Sequence, residues 1–408
     1  MLMYKNLESM FSVNAAGMKK SVIRELLKLT QKPDIISFAG GLPAPATFPV
    51  KEIAELAREL ILREGDWALQ YGPTEGDPRL KQEIIKIGER DDMKMDQENI
   101  LVTTASQQGL DIVGRVFINP GDIVICGRPT YVGAISAFRS YAAAFEGIEL
   151  DEEGMRMDHL RDKLKELKSA GKRPKFIYVV PDFQNPAGVT MSLERRRLLL
   201  DLACEYETLV VEDTPYRQLR YVGDHVPSLY SLDAGEGIVI DLHTFSKILF
   251  PGLRLGWVQA HKTVIDKFVI AKQAMDLCTP PFTQAIAYEY CNRGLLAAHI
   301  EENVELYRNK RKTMLEALET HMPEHPGIHW TKPEGGLFLW MTVPESMDME
   351  ALFYKAVEAN VAYVVGTAFY ADGGGKNHAR LNFSYPSPED IVEGVKRLAA
   401  VIKEQLSS

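Results

Sequence analysis

The 408-residue chain is 46% hydrophobic and 25% charged with a formal charge of −9, a globular balance that argues against nucleic acid or an anionic membrane as the main partner. Its four cysteines, Cys126, Cys204, Cys278 and Cys291, form no CxxC pair, so neither a zinc site nor a disulfide framework is indicated. No apolar run reaches transmembrane length and the first residues lack a signal-peptide core, so a cytoplasmic protein with room for two hydrophobic cores is expected.

Residues 18–30, MKKSVIRELLKLT, place Val22, Ile23, Leu26, Leu27 and Leu29 at roughly helical spacing, and Pro33 ends the run. The following IISFAGGLPAPATFP reads as an extended crossing, and Ile53 to Glu64 as a second amphipathic helix. From about residue 100, short apolar strands alternate with helices. The strand candidates are ILVTT (100–104), DIVICG (122–127), KFIYVV (175–180), TLVVED (208–213), GIVIDLH (237–243) and LGWVQA (255–260). Strands apolar on both faces, separated by helical stretches such as SQQGLDIVGRVFI and SLERRRLLLDLACEY, predict a mainly parallel sheet covered by helices. A long helical region is expected over roughly 283–320, then a smaller α+β unit containing HWTKP, GGLFLWMTV, VAYVVG and ARLNFSY. Gly373-Gly374-Gly375 reads as a loop tip.

In open α/β sheets ligands bind outside the carboxyl ends of the strands, so the residues after each strand are the candidates. Ser106 and Gln107 open a helix after ILVTT, where free N–H groups favour a phosphate, although Ser106 could equally be an N-cap. Tyr131, after DIVICG, is either a stacking aromatic or core. Asn185, in PDFQNPAG, is either a turn residue or an amide donor to a ligand oxygen. Asp213 ends TLVVED, where a buried carboxylate is expensive without a cation, and Tyr216 follows it. Thr244, Ser246, Lys247 and Arg254 follow GIVIDLH. A lysine, a carboxylate, phenols, an amide, hydroxyls and an arginine at one sheet edge fit pyridoxal 5′-phosphate. Lys247 can condense with its aldehyde, and Asp213 can keep its ring nitrogen protonated. Asn185 and Tyr216 can donate to its phenolate oxygen, and Tyr131 can stack on its ring. Arg254, Ser246, Thr244, Ser106 and Gln107 can take its phosphate.

The segments LQYGPTEGDPRLKQEI (69–84), TTASQQGLD (103–111), PDFQNPAG (181–188), VVEDTPY (210–216), HTFSKILFPGLRLGW (243–257) and ARLNFSY (379–385) resemble, in order, those of the class I/II aminotransferases of fold type I. RELLKLTQKPDIISFAGGLPAPATFP (24–49) is similar to the branch containing 2-aminoadipate and kynurenine aminotransferases. The resemblance implies an α/β fold with a large domain, 49–290, built on a mainly parallel seven-stranded sheet. It also implies a small α+β domain, 291–408, and an N-terminal arm, 1–48, packed against the active site. It implies a homodimer in which Tyr71 reaches the cofactor phosphate of the neighbouring subunit. Arg380 would clamp the substrate carboxylate, Gly41 would lie over the substrate, and Arg24 would either read an acidic side chain or be a solvated helix residue. Thr244 stands where many relatives carry serine, which keeps the hydroxyl, and the middle of Asp213-Thr214-Pro215-Tyr216 varies.

The reaction so implied is a ping-pong transamination from 2-aminoadipate, glutamate, leucine or an aromatic amino acid to a 2-oxo acid, with 2-oxoglutarate the expected acceptor. Two other readings stand beside it. One is a different reaction of the same cofactor, such as β-elimination. The other is a ligand-sensing module of the kind fused to DNA-binding domains, against which the short N-terminal extension and the acidic charge both argue.

Overall fold

The computed structural model describes residues 7–12, 14–15, 34–233 and 235–407. The helix expected over 18–30, and Arg24 with it, lies outside the described residues. After β1 (Ile36–Ser37), a helix over Val50–Ala68 and another over Pro78–Glu89 precede the strands β2 (Ile100–Thr103), β3 (Ile123–Arg128), β4 (Ala144–Asp151), β5 (Gly154–Met155), β6 (Phe176–Val179), β7 (Leu209–Asp213), β8 (Val239–Thr244) and β9 (Gly256–Gln259). These eight form one sheet in the order β2-β9-β8-β7-β6-β3-β4-β5. The strands β4, β3, β6, β7 and β8 run parallel; β9 runs antiparallel to β8 and β2, and β5 antiparallel to β4.

The sheet therefore has eight strands where the resemblance implied seven, and the six strand candidates read from the sequence leave out β4 and β5. The difference lies at its edge, where β4 reads AFEGIELD with exposed positions at its start, near its end and at its last residue. An edge strand half in water needs no continuous apolar run, so it carries no strong strand signal. By contrast β2, β6, β8 and β9 are buried at every position. Each fully buried valine, leucine or isoleucine there contributes roughly 1.5–3 kcal/mol of transfer free energy.

The helical region expected over 283–320 is two helices, Pro281–Asn292 and Leu295–His321. The break falls at Gly294, whose φ of 74° lies in the left-handed region that glycine adopts without strain. Beyond it, β10 (His329–Trp330), β11 (Phe338–Thr342), β13 (Val364–Val365) and β14 (His378–Asn382) form an antiparallel sheet in the order β10-β11-β14-β13. Tyr307, Met314 and Leu318 of the second helix pack with Leu339, Met341 and Leu381 of this sheet and with Leu398 and Ile402 of the helix over Pro388–Leu406. β1 pairs in parallel with β12 (Val361–Ala362), which carries the chain after Ser37 across the mouth of the large sheet. No helix among the described residues is long and apolar enough to cross a membrane.

Candidate active site

Because β3, β6, β7 and β8 are parallel, their carboxyl ends share one edge of the sheet, and the antiparallel β9 begins there. The loop between β8 and β9 turns back through a single helical turn, Pro251–Leu253, followed by Arg254 at a left-handed φ of 50°. Ser246 N–H donates to Thr244 Oγ1 at 3.1 Å, and the two hydroxyls lie 2.9 Å apart. Gly256 lets β9 pass close to the start of the helix over Ala105–Phe117. A Cβ there would lie 2.5 Å from His243 O and 2.9 Å from both Ala105 C and Ser106 N. Gly256→Ala is therefore expected to destabilise the fold by about 1–3 kcal/mol and to displace the Ser106 amide. Urea unfolding, with titration of the cofactor-free protein by pyridoxal phosphate, checks both.

Lys247 Nζ donates to Gly41 O at 2.8 Å. Burial first, then the charges of Arg380 and Arg254, bring its ammonium down to about 8. Asp213 is 2% exposed. Its Oδ2 accepts from the Tyr178 hydroxyl at 2.8 Å, whereas its Oδ1 has no hydrogen-bond partner among the described residues. Burial raises the carboxyl to about 7, opposed by the Tyr178 bond. Asn185 Nδ2 donates to the Tyr216 hydroxyl at 3.3 Å, and Asn185 Oδ1 accepts from Arg380 at 2.9 Å. Arg380 also donates to Ala39 O at 2.8 Å and lies 4.1 Å from the Phe338 ring centroid. Its Nε has no partner, and no carboxylate among the described residues pairs with it.

These groups line one cavity of about 400 Å³. Lys247, Asp213, Asn185, Tyr216 and Arg380 face it together with Tyr131 and Gly41. Ser106, Gln107, Thr244, Ser246 and Arg254 line the same cavity. Tyr71 is not among the lining residues and is 78% exposed. Sequence reasoning missed Tyr178, which sits inside the buried run FIYV and looks like core. It also missed the buried contact of His243 with Asp241 at 2.7 Å, behind Asp213. The alternation of strand residues places both side chains, but nothing in their spacing marks them as polar partners.

The family model for aminotransferase class I and II matches residues 33–398. The chain belongs to the class I/II aminotransferases. The enzyme is 50% identical over 98% of its length to aromatic-amino-acid aminotransferase 1 of Thermococcus litoralis, covering 95% of that protein. Its structure matches the kynurenine aminotransferase of Pyrococcus horikoshii in complex with PMP, with a TM-score of 0.96, 49% identity and full coverage of both chains. It also matches the α-aminoadipate aminotransferase LysN of Thermus thermophilus, complexed with N-(5′-phosphopyridoxyl)-L-leucine, with a TM-score of 0.91 and 40% identity over 98% of this chain and 99% of that one.

The aminotransferase uses pyridoxal 5′-phosphate, and the residues present fit that group. The unpartnered Asp213 Oδ1 offers an acceptor to a protonated ring nitrogen. The lysine is poised to lose its proton near neutrality, and the hydroxyls with Arg254 offer donors to a phosphate. In the cofactor-free aminotransferase, the rate at which an aldehyde traps Lys247 should rise with pH and level off above about 8. An ordinary lysine levels off only above ~10.4. Reductive trapping across pH 6–11, read by peptide mass, checks this.

Proposed function

We propose that the aminotransferase moves the amino group of an L-amino acid of the aromatic, leucine, 2-aminoadipate or glutamate type to a 2-oxo acid, 2-oxoglutarate, in two half-reactions. The observation that carries this reading is the buried Arg380 guanidinium, without a carboxylate partner among the described residues, in the same cavity as Lys247. A buried cation needs an anion, and the α-carboxylate of an amino acid supplies one in bidentate geometry. Bound pyridoxal phosphate supplies a ring that takes up the negative charge left when the α-carbon loses its proton.

The residues divide the remaining work. Lys247 would hold the cofactor's aldehyde carbon and, once displaced by the donor's amino group, take the proton from the substrate α-carbon. Its lowered pKa suits a general base near neutral pH. Asp213 would hold a proton on the ring nitrogen, and Asn185 and Tyr216 would donate to the ring oxygen. Tyr131 would stack on the ring. Arg254, Ser106, Gln107, Thr244 and Ser246 would hold the phosphate, with the first turn of the helix over Ala105–Phe117 adding backbone N–H groups. Tyr71, exposed on a single chain, is assigned to the phosphate of a neighbouring copy, which makes the working form a homodimer.

Gly41, which lines the cavity, would lie over the substrate, and the described wall includes the aromatic rings of Phe338, Tyr131 and Tyr216. The cations among the described lining residues, Lys247, Arg254 and Arg380, already have roles. Arg24 is the candidate to read an acidic side chain, whereas aromatic and leucine side chains need only the apolar wall. The names of the three relatives, covering aromatic, kynurenine and aminoadipate substrates, support this range.

The test is to add phenylalanine, leucine, 2-aminoadipate and glutamate in turn to the cofactor-loaded protein and follow its visible absorption. A donor that bleaches the band, yields its 2-oxo acid, and is reversed by 2-oxoglutarate supports the reading. Release of pyruvate, ammonia and a thiol from a cysteine S-conjugate, with none of the four donors changing the band, would instead indicate elimination. A band that no donor changes would sink the proposal.

A further inference from the structure

The carboxylate that ends β7 is not held by the cavity groups. Tyr178, one strand over on β6, is 1% exposed and does not line the cavity. Its ring is pinned edge-on against Phe138 at 5.7 Å, and Phe138 in turn packs edge-on against Phe176 at 5.0 Å. A pinned ring fixes the hydroxyl, and that hydroxyl donates to Asp213 Oδ2 at 2.8 Å. A carboxylate's terminal torsion is broad and roughly two-fold, so one fixed donor is what selects its plane. The remaining oxygen, Oδ1, is left without a protein partner. Burial keeps the Tyr178 phenol protonated, so it donates rather than accepts. A donor to the charged form favours that form. The other groups around Asp213 are Asp241 and His243 on β8 and the phenols of Tyr131 and Tyr216, with Lys247 lining the same cavity.

We propose that Tyr178 is a positioning residue for the cofactor: it holds one oxygen of Asp213 so that the other is presented, ionised, to the ring nitrogen of pyridoxal phosphate. Cofactor retention, and its loss on the acid side, are then set from outside the cavity by a residue that touches neither cofactor nor substrate. This rests on the assignment of Asp213 to the ring nitrogen.

Tyr178→Phe removes one oxygen and keeps the packing volume. The measurement is the dissociation constant of pyridoxal phosphate from the cofactor-free protein, by quenching of intrinsic fluorescence, at intervals from pH 5.5 to 8.5. It is made for wild type, Tyr178→Phe, Asp213→Asn and the double variant, with thermal melts of each. The expected result is about tenfold weaker binding for Tyr178→Phe near neutral pH, the order of one hydrogen bond to a charged group. Its acid-side loss of binding should also shift to higher pH. In the Asp213→Asn background the same change should have no further effect, because there is no charge left to position. An unchanged affinity and pH midpoint in Tyr178→Phe would overturn the proposal. So would an equal loss in both backgrounds, or a loss tracking a collapsed melt, either of which assigns Tyr178 to packing alone. Asp213→Asn binding as tightly as wild type would instead remove the functional assignment of Asp213, and a wild type that takes up no cofactor would remove the whole functional reading.

Discussion

Replacing Lys247 by alanine is expected to lower the donor-dependent rate by ~10⁴-fold, the upper end of what a positioned acid–base group contributes. The reason lies in the cavity. Among the described lining residues the other strong bases are the arginines 254 and 380, which do not give up a proton at working pH. The phenols of Tyr131 and Tyr216 are pushed up by burial. Asp213, raised by burial to about 7, is the remaining wall group that titrates near neutrality, and its assigned place is the ring nitrogen, which leaves Lys247 to take the proton from carbon. The fold should survive, because Lys247 leaves behind one hydrogen bond, to Gly41 O. Single-turnover mixing with phenylalanine, beside a melt, separates the two outcomes. A loss of less than tenfold would remove Lys247 from the chemistry.

The second large effect concerns stability. Asp182 is fully buried between two fully buried arginines, with Arg196 at 2.7 Å on one oxygen and Arg217 at 2.9 Å on the other. Arg217 reaches on to Asp91 at 3.0 Å. Burial alone would raise the Asp182 carboxyl, but the two arginines outweigh it and hold it well below the usual carboxylate range. Asp182→Asn keeps the shape, strands the buried Arg196 charge and leaves Arg217 with Asp91 alone, so it is expected to cost ~3–5 kcal/mol in urea unfolding. The sign of the pH dependence follows. The folded pKa is depressed, so the contribution is complete above the ~3.9 of an unfolded aspartate and is lost as pH falls toward the folded value. Asp182→Asn should accordingly flatten the acid limb of the stability curve. A change under ~1 kcal/mol would show that the network is solvated rather than dry.

That network also shows what the sequence could and could not convey. The strands that are apolar on both faces, and the polar residues directly after them, were readable because each signal is local. Asn185, Asp213, and Lys247 with Arg254 end or follow three such runs, and parallel pairing alone brings them to one edge. β4 was not readable, since an edge strand with exposed positions looks like loop. Asp91, Asp182, Arg196 and Arg217 each look like surface charges in the chain; only their pairing across 14 to 126 positions makes them interior. Tyr178 was hidden for the opposite reason, an aromatic in an apolar strand whose hydroxyl has work to do. Gly41 and Arg380 came from resemblance rather than from pattern, because neither follows a strand of the large sheet. Tyr71 lies on the exposed surface, where a single chain offers no contact to read.

The strip of chain between β1 and the helix over Val50–Ala68 touches the reaction centre in an unusual way. Ala39 accepts from Arg380, Gly41 from Lys247, and Leu42 from the Ser384 hydroxyl at 2.7 Å, in each case through the main-chain carbonyl. A carbonyl is the same whatever side chain it carries. Exposed side chains of this strip, such as Leu42, can therefore change while the three carbonyl contacts stay in place. The strip can thus drift in sequence at its exposed positions without loosening its hold on Lys247 and Arg380.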